Sequence, residues 1–332
     1  MAKNQPIRFA FLVHPLVDWH RRILGVRQLH LPLALGSENV GMEAVGLIGR
    51  IRIPTLEGYE SGAIISLPDT AHRLAQDQAR AAAHQLRAGE IAHEMGAAAV
   101  GLGNALGVVA GRGTHLAENL PIPVSTGHSS TAWTCARITL LAQERHALQS
   151  QPIGILGFKG TVGDAVAQAL REAGQQVWVD ATGKAAVRRA EKLGCQIAPR
   201  EQLVARCRLI IGTTTTGPAI SGHLLTNEHI LIDLALPPTL EPGTHPRGLR
   251  IYAGETLRLP GTVRANVWGW IWLALAQYGK GCIYACLAEP VLGAKYGADA
   301  CHLGRRITLS QLAKTGERLQ QLGFQPTLQR LS

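Results

Sequence analysis

The chain has 332 residues, of which 46% are hydrophobic and 17% are charged, and its formal net charge at pH 7 is +10. This length suits about two domains, and this composition argues against an intrinsically disordered chain. The positive charge would suit a nucleic acid or an acidic protein, but Lys and Arg never run beyond two in a row and no nucleic-acid-binding module is recognisable. We therefore expect no nucleic-acid partner.

The most apolar stretch, Val267 to Ala276, is far shorter than the roughly 20 residues that cross a bilayer, so it predicts a buried helix and no transmembrane segment. No signal peptide is visible, because Met1 to Arg8 is polar. Six scattered cysteines without a CxxC pair indicate reduced thiols and a cytoplasmic protein. Their spacing matches no common zinc pattern, so no metal site is predicted.

The first part of the chain predicts an α/β domain. Short apolar runs indicate four strands, at Ile7–Val13, Leu47–Ile53, Ala63–Ser66 and Ala97–Leu102. Helical spacing of Ala and Leu predicts a long helix over Thr70–Met95, with Asp69 or Thr70 as its N-cap, and a second helix over Ser130–His146.

After a linker at residues 149–152, strands and helices alternate regularly. The strands fall at Ile153–Leu156, Gln176–Val179, Leu209–Gly212, Ile230–Leu234 and Leu249–Tyr252, and helices at Thr161–Ala173 and Lys184–Leu193. This alternation predicts a Rossmann-like, doubly wound parallel sheet. We expect an N-terminal α/β substrate domain (1–148), a nucleotide-binding domain (149–262) and a C-terminal helical segment (263–332) that packs back.

A glycine loop follows the strand at residue 153. Gly157, Gly160 and Gly163 form GxxGxxG, a variant of the dinucleotide fingerprint, between an apolar strand and an amphipathic helix. The glycines permit a tight turn and close backbone approach to a pyrophosphate at the helix N-terminus. A purely structural glycine turn is the alternative. The predicted cofactor-binding residues are Gly157, Phe158, Lys159, Gly160, Thr161, Val162 and Gly163.

Asp180, at the end of the second strand of this unit, is placed to bind the ribose 2′-hydroxyl of NADH. Cations follow it at Lys184, Arg188 and Arg189, and these either hold the 2′-phosphate of NADPH or form a solvated helix face. The residues alone leave NADH and NADPH open. Thr182 is a further predicted cofactor contact, as are Thr213 and Thr214 of the loop at residues 213–217.

Two segments carry candidate catalytic groups. Cys282 and Cys286 are predicted at positions i and i+4 of one helix, near its start, where the pKa of a thiol is lowered. Inert buried thiols are the alternative. Ser125 and His128 lie in a hydroxyl-rich turn before a helix, which either binds an oxyanion or donates a proton, or is a plain helix cap.

Landmarks along nearly the whole chain resemble the long-chain acyl-[acyl-carrier-protein] reductases typical of cyanobacteria, as a diverged member would. They are the Phe9–His14 strand, the turn at residues 56–62, the segment Ser125-Thr-Gly-His-Ser-Ser-Thr-Ala132, the loop at 157–163, the helix Tyr284-Ala-Cys-Leu-Ala-Glu289 and Gly304-Arg-Arg-Ile-Thr308.

The resemblance implies an NADPH-dependent reduction of an acyl thioester to an aldehyde, with the acyl group held on Cys286. It also implies an acyl carrier protein or acyl-CoA as the donor, and allows for an aldehyde-consuming enzyme as a partner. Asp180 stands where the family has a basic stretch, so NADH stays possible. Two other hypotheses remain open: a dehydrogenase of a small carbonyl or hydroxy substrate without a covalent intermediate, supported by the threonine loop, and a non-catalytic binding protein.

Overall fold

The computed structural model describes residues 6–14, 45–215, 218–235, 238–241, 243–244, 246–275 and 281–331. The parts of the predictions that concern residues 15–44, residues 216 and 217 of the threonine loop and residue 276 lie outside these ranges. Ten helices lie within the described residues: α1 (Ala71–Gln76), α2 (Gln78–Glu94), α3 (Thr114–Asn119), α4 (His128–Arg145), α5 (Thr161–Glu172), α6 (Lys184–Lys192), α7 (Arg200–Arg206), α8 (Val267–Leu275), α9 (Ala285–Tyr296) and α10 (Leu309–Gln321).

The strands within the same described ranges are β1 (Phe9–Val13), β2 (Gly46–Thr55), β3 (Gly58–Ser66), β4 (Ala99–Leu102), β5 (Val124–Ser125), β6 (Ile153–Leu156), β7 (Val177–Val179), β8 (Gln196–Ile197), β9 (Leu209–Gly212), β10 (Ile230–Asp233), β11 (Arg250–Ala253), β12 (Thr256–Arg258), β13 (Arg264–Ala265), β14 (Cys282–Tyr284), β15 (Gln325–Pro326) and β16 (Gln329–Arg330).

The chain forms two compact units. The first comprises the described parts of Met1–Ser130, Leu257–Gly304 and Glu317–Gln325, and the second those of Thr131–Thr256, Arg305–Gly316 and Pro326–Ser332. The structure therefore divides the chain at other points than the predicted boundaries at residues 148 and 262. Helix α9, which we expected in a separate C-terminal segment, is part of the first unit.

The first unit is built on a six-stranded sheet of order β13-β2-β3-β1-β4-β5. Strands β3, β1, β4 and β5 run parallel to one another. At one edge, β2 pairs antiparallel with β3, and β13 pairs antiparallel with β2. Helix α9 packs against β1 and β4, and this packing needs bare backbone: a Cβ on Gly101 would lie 2.5 Å from a ring carbon of Pro290.

The second unit contains a seven-stranded sheet of order β16-β11-β10-β9-β6-β7-β8, parallel except for β16. Counted along the chain from β6, its parallel strands follow the order 3-2-1-4-5-6 of the dinucleotide-binding fold. Alternate residues of β9 enter two different apolar cores, since Leu209 and Ile211 belong to one and Ile210 to the other. Helices thus cover both faces of the sheet, and the predicted α/β, doubly wound fold is confirmed.

Three local predictions were wrong. The helix predicted over residues 70–95 is broken at Asp77, which has φ −120° and whose carboxylate caps α2 by accepting from the Arg80 backbone N–H. Cys282 lies in strand β14 and not on the helix of Cys286. Helix α8 forms as predicted but is not buried along its whole length, because Val267 is 72% exposed. A further sheet of order β14-β12-β15 contains three short strands.

Candidate functional site

The glycine loop connects β6 to α5 in the second unit. Gly157 has φ +88°, a conformation that favours glycine, and a Cβ there would lie 2.8 Å from Thr213 Oγ1. Thr213 follows β9, the neighbour of β6, and its hydroxyl donates to the Leu156 carbonyl at 2.8 Å. The loop therefore lies at the point where the strand order reverses, which is where this fold binds its ligand.

The start of α5 is suited to an anion. Its N-cap is Gly160, so no side chain caps the first-turn N–H groups. A Cβ on Gly163 would lie 2.6 Å from the Gly157 carbonyl oxygen, whereas a Cβ on Gly160 would meet only that oxygen, at 3.3 Å. Lys159 and Gly160 are exposed, while Phe158 and Thr161 are buried in the unit. These features fit the pyrophosphate of a dinucleotide.

Asp180 lies just beyond β7 and is largely buried. Its Oδ1 accepts the backbone N–H groups of Gly157 and Phe158 at 2.9 and 3.1 Å. Its Oδ2 accepts Arg200 Nε at 3.1 Å. The Asp180 carboxylate thus binds the backbone of the glycine loop and also pairs with the guanidinium of Arg200. The sequence pattern did not reveal this arrangement.

The other predicted nucleotide contacts differ in their surroundings. Thr182, Lys184 and Arg188 are exposed, whereas the Arg189 guanidinium is paired with Asp164 at 2.7 Å. Thr214 is buried beyond β9. Arg200 was not predicted, because it lies 20 residues after Asp180, at the start of α7, and no local motif marks it.

Cys286, in the first unit, is the second residue of α9. The cap residue Tyr284 provides no side-chain hydrogen bond, so the first-turn N–H groups are left to other partners. Pro290 lies inside the same helix, four residues after Cys286, and has no backbone N–H to donate. Cys286 is therefore half-buried at the positive end of a helix, which are the surroundings typical of a nucleophilic cysteine.

Cys282 has different surroundings. It lies on β14, and burial raises the pKa of its thiol, although the charge of Arg258 acts in the opposite direction. Burial also raises the pKa of the Cys301 thiol, as do Glu289 and Asp299. Of these three neighbouring thiols, only that of Cys286 lies at the start of a helix.

The turn before α4 packs directly against Cys286. Gly127 has φ +73°, and a Cβ there would lie 2.6 Å from Cys286 Cβ. Ser125, predicted as a reacting group, is fully buried and donates its hydroxyl to Glu289 Oε1 at 2.7 Å. Ser125 Oγ in turn accepts the Gly127 N–H at 3.0 Å.

His128 is the first residue of α4, directly after Gly127. Burial lowers the pKa of its imidazole to about 3, and the nearby His302 and Arg112 act in the same direction. The ring is therefore neutral at physiological pH, and its buried Nδ1 has no hydrogen-bond partner in the described part of the chain. A neutral imidazole donates a hydrogen bond to a carbonyl more readily than it removes a proton from a thiol.

A partly buried carboxyl in the second unit was also missed from the sequence. Glu255 follows β11, and burial raises its pKa to about 7, opposed by a hydrogen bond from the Thr131 hydroxyl at 3.4 Å.

The described residues contain no cluster of three His, Cys, Asp or Glu side chains that could hold a metal ion. None of the helices in the described ranges has the length and hydropathy needed to cross a membrane.

The fold and these sites define a two-unit α/β protein with a dinucleotide-binding type of sheet and a helix-terminal cysteine. No protein-family model matches the chain. The aminotransferase PigE of Serratia sp. (strain ATCC 39006) is 27% identical over 286 residues, which are 79% of this chain and 32% of that protein. The chain therefore spans about a third of the length of this curated relative.

Two solved structures are similar in part. The nucleotide-binding domain of glutamyl-tRNA reductase from Thermoplasma volcanium is 22% identical, covers 32% of this chain and 82% of that chain, and has a TM-score of 0.27. Phosphoglycerate oxidoreductase from Vibrio cholerae O395 is 13% identical, covers 72% of this chain and 78% of that chain, and has a TM-score of 0.32. The strand order of the second sheet by itself shows the doubly wound fold.

Proposed function

We propose that this protein is an NAD(P)H-dependent reductase that takes an acyl group from a thioester onto Cys286 and releases it as an aldehyde. The observation that carries the proposal is the position of Cys286 as the second residue of α9, in contact with the Gly127 turn. A helix N-terminus is the kind of place that favours a thiolate, and the bare backbone of Gly127 lets the turn that carries His128 come close to Cys286.

In the first step, the Cys286 thiolate adds to the carbonyl carbon of the donor thioester. The new C–S bond forms, the donor C–S bond breaks, and the donor thiolate leaves with the proton that Cys286 gave up. The first-turn N–H groups of α9 and the neutral imidazole of His128 are the groups we assign to the developing oxyanion. Ser125 has a different role, since its hydroxyl proton is held by Glu289.

The glycine loop would hold the dinucleotide, and the first-turn N–H groups of α5 are the donors available to its pyrophosphate. When bound, the nicotinamide supplies the hydride that the acyl carbon needs to reach the aldehyde level. The bond between the acyl carbon and Cys286 Sγ then breaks as the oxyanion collapses, and one solvent proton restores the thiol. Overall, one hydride and one proton are consumed for each aldehyde released.

We propose NADPH as the preferred cofactor. Asp180, the side chain that would bind the ribose 2′-hydroxyl of NADH, is occupied by the loop N–H groups and by Arg200. The Arg200 side chain is 44% exposed and its charge offsets that of Asp180 at the end of β7. A guanidinium in this position suits a 2′-phosphate better than a hydroxyl.

For the acyl donor we propose an acyl carrier protein or acyl-CoA, since both are anionic and the chain has a net charge of +10. An aldehyde is a substrate for amino transfer, so the curated relative named an aminotransferase supports an aldehyde-consuming partner of that class. The reaction needs a reduced thiol, and the six cysteines are free, so we propose a cytoplasmic location.

The proposal is tested by NADPH oxidation and aldehyde release with acyl-CoA as the donor. We expect Cys286→Ala to lose both activities by at least about a thousandfold, because the covalent path is removed. Cys282→Ala is the matched control, four residues away on β14, and should keep most of the activity. Full activity in Cys286→Ala would favour the dehydrogenase without a covalent intermediate.

A further inference from the structure

We propose that Glu289 is a positioning residue for the acyl-transfer step, because its carboxylate holds the turn of Gly127 and His128 against the helix that carries Cys286. This inference rests on the proposed function, in which Cys286 accepts the acyl group. Glu289 lies three residues after Cys286 on α9 and is completely buried.

Three donors converge on this carboxylate, two from the turn at the start of α4 and one from His302. Oε1 accepts the Ser125 hydroxyl at 2.7 Å and the His302 backbone N–H at 2.8 Å. Oε2 accepts the Ser130 backbone N–H at 2.8 Å. Glu289 acts only as an acceptor in these contacts, so all three hydrogen bonds depend on its two carboxyl oxygens.

The contact with Ser130 makes Glu289 a cap for a second helix. Ser130 is the third residue of α4, and its N–H is among the four that a helix leaves without an internal partner. A carboxylate at a helix N-terminus is also stabilised by the helix dipole. Glu289 therefore joins the start of α4 to the start of α9.

The contact with Ser125 extends this hold to the residue beside the thiol. Ser125 Oγ donates to Glu289 and accepts the Gly127 N–H at 3.0 Å. The turn is thus fixed at both ends, at Ser125 and at Ser130, by one carboxylate. Between these ends, the Gly127 backbone lies close to Cys286, and His128 follows.

The third contact fixes the far side of the turn. The His302 carbonyl accepts from the Thr126 N–H at 2.9 Å and from the Thr126 hydroxyl at 3.0 Å, while the His302 N–H is bound by Glu289. The ring centroids of His302 and His128 are 6.0 Å apart. Glu289 thereby also orders the neighbour of the imidazole that we assign to the oxyanion.

Glu289→Gln is the sharpest change, because it preserves shape and removes one acceptor oxygen. The new amide NH2 must face either the Ser130 N–H or the donors on Oε1, which places donor against donor in a buried site. The turn then moves away from its position at Cys286. A shift of this kind slows a reaction that needs an aligned carbonyl far more than one that needs only a thiolate.

The experiment compares two rates for each variant: acylation of Cys286 by acyl-CoA, followed by mass, and alkylation of the same thiol by iodoacetamide. For Glu289→Gln we expect acylation to fall by at least about tenfold per folded molecule, with alkylation nearly unchanged. Glu118→Gln is the matched control, at an exposed site of the same unit, and should change neither rate.

Ser125→Ala is the second variant and decides the result if Glu289→Gln does not fold. It removes the link to Gly127 and leaves both N–H contacts of Glu289, so acylation should fall by a smaller factor while alkylation persists. A ratio of acylation to alkylation that stays at the wild-type value would overturn the positioning role alone. A wild-type protein that accepts no acyl group would contradict the proposed function as well.

Discussion

At the end of β7, two opposite charges meet beside the glycine loop. Burial of Asp180 is tolerated because three N–H donors satisfy its oxygens, two from the loop backbone and one from Arg200. Arg200 also donates to the Ala219 carbonyl at 3.2 Å, which orders its side chain. The remaining N–H groups of the guanidinium are the donors we assign to a 2′-phosphate.

Replacing Arg200 with Ala should therefore change cofactor choice. We expect the Kd for NADPH to rise by about tenfold or more, because a charge-assisted contact contributes about 1.5–3 kcal/mol, while the Kd for NADH stays the same or falls. Fluorescence titration of the two nucleotides measures this. Arg137→Ala, at an exposed site on α4, is the control. An equal loss of affinity for both nucleotides would show that Arg200 supports the loop and does not select the cofactor.

Single residues were predictable where chemistry and local sequence coincide. Cys282 and Cys286 were both predicted near a helix start, and the family resemblance singled out Cys286; the structure places Cys286 at a helix start and Cys282 on a strand. The involvement of Glu289 was not predictable, since its partner Ser125 lies 164 residues away and no spacing rule connects them. For the same reason, Ser125 was predicted as a reacting group when its hydroxyl is in fact held within a buried network.

At the scale of the elements, two glycines of the β6–α5 connection should have different roles: Gly163 in stability and Gly160 in cofactor binding. Gly163→Ala should destabilise the protein by about 1–3 kcal/mol, because its Cβ would lie 2.6 Å from the rigid Gly157 carbonyl. Gly160→Ala should cost little stability, since Gly160 has φ −76° and its Cβ would meet only one oxygen, at 3.3 Å. Its methyl group would instead occupy the approach to the first turn of α5.

Urea denaturation together with NADPH titration distinguishes these two effects. The expected pattern is a lower midpoint for Gly163→Ala, and a normal midpoint with affinity reduced at least about tenfold for Gly160→Ala. If Gly160→Ala bound NADPH as the wild type does, the pyrophosphate would not lie at the start of α5, and the assignment of the cofactor site would be wrong.

Elements were predictable where one signal dominates. The strands Ile153–Leu156 and Leu209–Gly212 were located to the residue, because short β-branched runs bounded by glycine or polar residues have few alternatives. The helix predicted over residues 70–95 failed at Asp77, where capping competes with helix continuation. The residues at 282–284 pair as a strand with a distant segment, and the sequence gives no sign of a contact of this kind.

At the scale of the whole molecule, the α/β class and the doubly wound sheet followed from the alternation of strands and helices. The division into units did not, because each unit is assembled from three separate stretches of chain. A boundary read from composition marks a single change along the chain. The chain instead passes from one unit to the other near residues 130, 257, 305, 317 and 326. Only the tertiary contacts show which stretches of chain belong to the same unit.

The central claim is that Cys286 carries the acyl group between the donor and the hydride. Incubation of the whole protein with acyl-CoA and no nucleotide, followed by intact-mass and peptide analysis, tests it most directly. We expect one acyl adduct on Cys286, absent from Cys286→Ala and present in Cys282→Ala, which disappears as aldehyde when NADPH is added. An unmodified Cys286 in a preparation that still reduces acyl-CoA to aldehyde would contradict the account.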